Sequence, residues 1–165
     1  MDKRIRKYCA LIIAILAYYL IHEGAHFIVA VKYQCFNCIK FLGLGIQVDI
    51  YRDLITDKQL GVFCIAGGIA TLIVAYVMVF LIAAICNYHS KLIKAVSYYI
   101  TIIMLFLDPL YLSILCVFFG GGDMNGIGLL IPEWLARVLC GLIFIVNGAV
   151  FLKRVRPNYI KSFSE

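Results

Sequence analysis

Apolar residues dominate four windows of the chain, from Tyr8 to Val31, Gly61 to Tyr88, Leu92 to Phe119, and about Gly126 to Leu152. A helix needs about 20 residues to cross a hydrocarbon core of ~30 Å, so each window is long enough to span a bilayer. The pattern predicts an all-α membrane protein, a single integral membrane domain over residues 1–165 with spans at about 8–31, 61–88, 92–119 and 126–152. Between the first two windows the period changes. In Leu42-Gly43-Leu44-Gly45-Ile46-Gln47-Val48-Asp49-Ile50, apolar residues fill every second position, the signature of a half-buried strand. A short β-strand or hairpin is therefore expected after the first span, its glycines letting another backbone approach closely.

Two breaks are expected within this frame. Pro109 lacks a backbone donor and clashes with the preceding turn, so the third helix should break near Leu107, with Asp108 as N-cap of a new segment. Gly120-Gly121-Gly122-Asp123-Met124-Asn125-Gly126 reads as a flexible turn joining spans three and four, and Pro132 as the marker of the true start of span four.

Composition and charge narrow the class. Hydrophobic residues make up 64% of the chain and charged ones 15%. With a mean hydropathy of +0.99, this excludes an ordinary soluble domain. The opening MDKRIRK resembles the basic region of a signal peptide, but no small-residue cleavage site follows, which predicts an uncleaved signal anchor. Ten Lys and Arg fall in the two tails and the loop before span three, against four (Lys32, Lys40, Arg52, Lys58) on the other side, so both termini are expected in the cytoplasm. Topology and anionic lipid headgroups account for the net charge of +6, and no nucleic-acid partner is expected. Five of the seven cysteines fall within spans as small buried hydrophobes. Cys35 and Cys38 form a lone CxxC that suits a disulfide, a redox pair or an incidental spacing better than a structural zinc site.

The chemistry concentrates in IHEGAHFIVA, residues 21–30. His22 and His26, four apart, share one helix face with Cβ atoms about 6 Å apart, which suits two-point binding of one Zn²⁺. Glu23 leans toward the same point without being needed as a ligand, and is placed to take a proton from a water that the metal acidifies. Each ionisable group at mid-bilayer costs ~2.5 to 3.5 kcal/mol on the insertion scale, so three in five residues call for a common compensation, which a metal would supply. A polar patch between helices, without metal, is the plainer reading. His89, in a loop, reads as an ordinary surface residue.

The motif in its span, the strand after it, Ala66-Gly67-Gly68 opening the next span, and a later Asp near a helix break together resemble the site-two protease family of intramembrane zinc metalloproteases. Only HExxH is a specific match, and Gly68 stands where the family usually has Pro. The resemblance implies one catalytic Zn²⁺ held by His22, His26 and an Asp, with Glu23 as general base, and hydrolysis of peptide bonds in membrane-embedded or membrane-proximal substrates. The Asp is Asp123 or Asp108: helical rise puts Asp108 level with His22, whereas Asp123 shares a membrane face with the HExxH group and precedes the last helix. Asp123 is favoured. Asn125 is a candidate assistant to the oxyanion, and the strand a candidate platform for an unwound substrate. The competing expectation is a metal-binding or metal-translocating membrane protein without protease activity. Substrate identity and oligomeric state are not predicted.

Overall fold

The computed structural model describes residues 2–42, 45–120 and 122–164. Gly43 and Leu44, part of the expected strand, and Gly121, part of the expected turn, lie outside the described residues. Helix α1 (Lys3–Lys32) is capped by the Asp2 carboxylate, and two residues past its end Gln34 adopts a left-handed conformation (φ 55°). Its buried residues, Ala10, Ala14, His22, His26 and Ala30, are separated by four or eight residues, so a single ridge faces the rest of the protein. Alanines on that ridge let neighbouring helices come close, the main source of packing where lipid removes the hydrophobic drive between helices.

Strands β1 (Phe36–Leu42) and β2 (Gly45–Ile50) form an antiparallel hairpin whose β2 strand packs against α1. Helix α2 (Asp57–Phe80) opens with a capping box between Thr56 and Gln59. It stops at Phe80, short of the expected Tyr88, and the chain continues as a separate short helix, α3 (Ile82–Cys86). Helix α4 (Lys91–Leu110) packs against both α1 and α2, passes into a turn of π-helix (Tyr111–Leu115), and closes as α5 (Cys116–Phe119).

The break expected near Leu107 does not occur, because Pro109 sits inside α4. A proline removes the hydrogen bond that its own nitrogen would give to the carbonyl four residues back, here Leu105. The side-chain amide of Asn147 donates to that carbonyl at 2.6 Å. Tyr76 in turn donates to the Asn147 oxygen at 2.7 Å. The fully buried Asn147 thus supplies from a neighbouring helix what the proline takes away. Asp108 is consequently a mid-helix residue and not an N-cap.

The segment expected to be a flexible turn is helical from Gly122, as α6 (Gly122–Ile127). A Cβ at Gly126 would lie 2.3 Å from Cys64 Sγ, so the missing side chain is what lets α6 lie on α2. Pro132 then precedes α7 (Glu133–Val150), as its position in the sequence suggests, and a second π turn (Phe151–Val155) leads to α8 (Arg156–Ser164), which packs on α3. Four helical stretches, Lys3–Lys32, Asp57–Phe80, Lys91–Phe118 and Glu133–Ser164, are long and apolar enough to cross a membrane. The result is an all-α membrane architecture with one small hairpin after the first helix. Two apolar clusters form the interior, one around Phe63, Cys64, Leu112 and Met124, the other around Ala75, Met104, Leu105 and Tyr159.

Candidate metal centre

His22 and His26 lie on the inward ridge of α1, 8% and 3% exposed, at the level where α1, α2, α4 and α6 meet. Their Nε2 atoms are 3.1 Å apart. The Oδ2 atom of Asp123, delivered by the first turn of α6, lies 3.3 Å from His22 Nε2 and 3.6 Å from His26 Nε2. Three donor atoms from two elements thus form a nearly equilateral triangle. A tetrahedral ion with bonds of ~2.0 to 2.1 Å holds its ligand atoms about 3.3 Å apart, so the triangle has the size of one face of a zinc coordination sphere.

Each imidazole is fixed from behind. His26 Nδ1 lies 2.7 Å from the Phe63 carbonyl oxygen and donates to it, which leaves Nε2 with a free lone pair. His22 Nδ1 lies 3.3 Å from Asp108 Oδ1 and 3.4 Å from its Oδ2. Asp108 also accepts hydrogen bonds from the Tyr18 and Thr71 hydroxyls. Both acids weighed in the sequence therefore reach the site, Asp123 at the two Nε2 atoms and Asp108 at His22 Nδ1 alone. Asp123 faces the nitrogens that could hold a metal, and Asp108 faces the back of one ring. Asp123 lies outside the four spans; burial pushes its carboxyl up, but hydrogen bonding to His22 and His26 outweighs this and brings it down to about 2.

Gly67 of α2 forms the floor. A Cβ there would stand 2.6 Å from His26 Nε2 and 2.7 Å from His22 Nε2, a space no side chain can share with the two donors. At Gly68 the same test meets Asp108 Cβ at 3.8 Å, an ordinary contact.

A carboxylate oxygen of Glu23 lies within 4.8 Å of a ring nitrogen of each histidine. Its Oε2 accepts the Val48 backbone N–H at 2.8 Å, which ties the carboxylate to β2. Because Val48 N–H points to Glu23, it points away from β1, and this edge of β2 borders the site. A pocket of about 330 Å³ opens beside the triangle, lined by Glu23, His26 and Asp123, by Gly45 to Val48 of β2, and by Phe63, Tyr111, Gly120 and Gly122. Tyr111 donates its hydroxyl hydrogen to the Gly120 carbonyl and so ties the residue leading toward α6 to the π turn that follows α4. Asn125 is exposed and is not among the pocket's lining residues.

The remaining expectations can be placed as well. His89 is exposed, as expected. Cys35 and Cys38 are both free thiols; Cys35 is buried, and burial raises its thiol above the ordinary value. Tyr18 and Thr71 belong to no motif in the sequence, although Tyr18 precedes His22 by one helical turn and Thr71 is a rare polar residue in its span; Gly67 belongs to the Ala66-Gly67-Gly68 motif.

No protein-family model matches the chain, and comparisons with curated proteins and with solved structures find no match either.

Proposed function

We propose that the protein is an intramembrane zinc metalloprotease that hydrolyses peptide bonds of membrane-embedded or membrane-proximal substrates. The observation that carries this reading is the triangle of His22 Nε2, His26 Nε2 and Asp123 Oδ2, with sides of 3.1, 3.3 and 3.6 Å. These three residues would hold the ion and leave one position open toward the pocket. Zinc there would supply Lewis acidity toward a peptide carbonyl and lower the pKa of a water molecule.

The chain's own groups do the rest. Glu23, oriented by the Val48 N–H, takes the proton from the attacking water and returns it to the leaving amine. The outer edge of β2 offers backbone groups to an extended substrate segment, which a helical substrate must become before its carbonyls are accessible. A Val48→Pro change would remove only the bond to Glu23 and leave the β1–β2 ladder intact. Cleavage of a helical substrate should fall at least tenfold with zinc retained, and unchanged cleavage would count against the orientation of Glu23 by the Val48 N–H.

The arrangement favours hydrolysis over ion conduction. Among the described residues of α4, the buried polar ones, Lys94, Ser97, Thr101 and Asp108, are interrupted by Met104 and Leu105, both fully buried, so this helix offers no continuous polar path down from the site. The Lys and Arg asymmetry supports cytoplasmic termini, which would put the centre in the outer half of the bilayer. Asp123→Ala tests the ligand set: zinc content of the purified protein should fall with loss of cleavage, and full zinc retention would remove Asp123 from the centre.

A further inference from the structure

Asp108 is a carboxylate placed among helices at mid-span, 4% exposed, where an unpaired charge is costly. Its surroundings are built to hold it. Tyr18 comes from α1, Thr71 from α2, and both hydroxyls donate to it. The Thr71 oxygen also lies 3.0 Å from the Gly68 carbonyl, so its one hydroxyl hydrogen is shared between that carbonyl and Asp108. The group that Asp108 can serve in return is His22 Nδ1, at 3.3 and 3.4 Å, the long end of hydrogen-bond range.

A helix cap does not explain the residue, because α4 runs through it. Membership of the donor triangle does not explain it either, because its contact is with Nδ1, whereas the triangle is made by Nε2. His26 has the equivalent arrangement with a neutral partner, the Phe63 carbonyl. One imidazole is thus backed by a carbonyl and the other by a carboxylate that three separate helices hold in place.

We propose that Asp108 is a positioning residue that accepts the His22 Nδ1–H, and that Tyr18 and Thr71 hold its carboxylate for that purpose. It fixes the ring angle and the tautomer that aims Nε2 at the metal, and its negative charge makes that nitrogen a stronger donor. The proposal rests on the metal-centre reading and deepens it. It separates the roles of the two acids: Asp123 binds, and Asp108 aims.

The test uses the full-length protein in detergent, loaded with Co²⁺ or Zn²⁺. Asp108→Ala should weaken Co²⁺ binding about 10- to 100-fold and alter its visible absorption bands, the range expected when such an outer partner is lost. Asp108→Asn, which keeps an oxygen acceptor, should recover part of that loss, whereas a space-filling role would be restored as well by Asp108→Leu. Nitrogen-15 NMR of histidine in the zinc-loaded wild type gives an answer that needs no variant to fold. His22 should carry its proton on Nδ1, shifted downfield by a carboxylate partner. Unchanged Co²⁺ affinity and spectrum in Asp108→Ala, or a His22 whose Nδ1 bears no proton, would overturn the proposal with the metal reading intact. Wild type that binds neither ion would instead overturn the metal reading itself.

Discussion

Replacing a glycine inside a helix by alanine ordinarily stabilises the helix by about 1 kcal/mol. At Gly67 the same change should do harm, because the new Cβ would fall 2.6 and 2.7 Å from the two nitrogens that face Asp123. We expect Gly67→Ala to lower zinc affinity at least tenfold in a competition titration, while Gly68→Ala, with nothing nearer than 3.8 Å, leaves it within twofold. Equal affinities for the two variants would mean that the imidazoles do not stand where the structure puts them. At this scale the sequence was most informative about His22, Glu23 and His26, since a spacing of four along one helix needs no tertiary knowledge. It could not tell the roles of Asp108 and Asp123 apart. Depth along a helix reveals that a residue is level with the histidines, but not which ring nitrogen it meets, and that is decided by packing among α1, α2, α4 and α6. Tyr18 and Thr71 gave only the weaker signal of polar groups in apolar windows.

Among the elements, α4 shows how a local rule can be overruled by a neighbour. Pro109 predicts a break when its helix is considered alone; in the folded chain, Asn147 satisfies the Leu105 carbonyl and the helix continues. This continuity is what keeps Asp108 pointing at His22. Asn147→Leu should therefore destabilise the protein by about 1 to 3 kcal/mol, the cost of leaving a buried acceptor unsatisfied. In a Pro109→Ala background, where the backbone N–H returns, the cost should shrink by half or more. Unfolding in mixed detergent measures both, and an undiminished cost would show that Asn147 acts by packing alone. The α6 segment makes the same point in reverse: its glycines predict a turn, yet Gly126 serves as a contact with Cys64, and the resulting short helix presents Asp123 to the histidines. The hairpin was more legible, because alternation along β2 is local. Its partner β1 lacked so clear a period.

For the whole molecule, four apolar windows sufficed to anticipate four candidate spans, with boundaries shifted by up to several residues where α2 stops at Phe80 and α7 begins at Glu133. Hydropathy identifies what can lie in lipid, and turn chemistry near the ends depends on contacts it does not encode. What unites the levels is a cost: ionisable groups in a span are expensive, and here the two histidines of α1 meet Asp123 in one triangle, backed by one further carboxylate and one carbonyl. We propose that this convergence serves a zinc ion and that Glu23 is the base for peptide hydrolysis, which is tested by zinc content measured beside cleavage of a membrane-spanning peptide, for wild type and Glu23→Gln in parallel. About one zinc per chain is expected in both proteins, with a 10²- to 10⁴-fold loss of cleavage in the variant. A wild type free of zinc, or a Glu23→Gln protein that cleaves as fast as wild type, would contradict it.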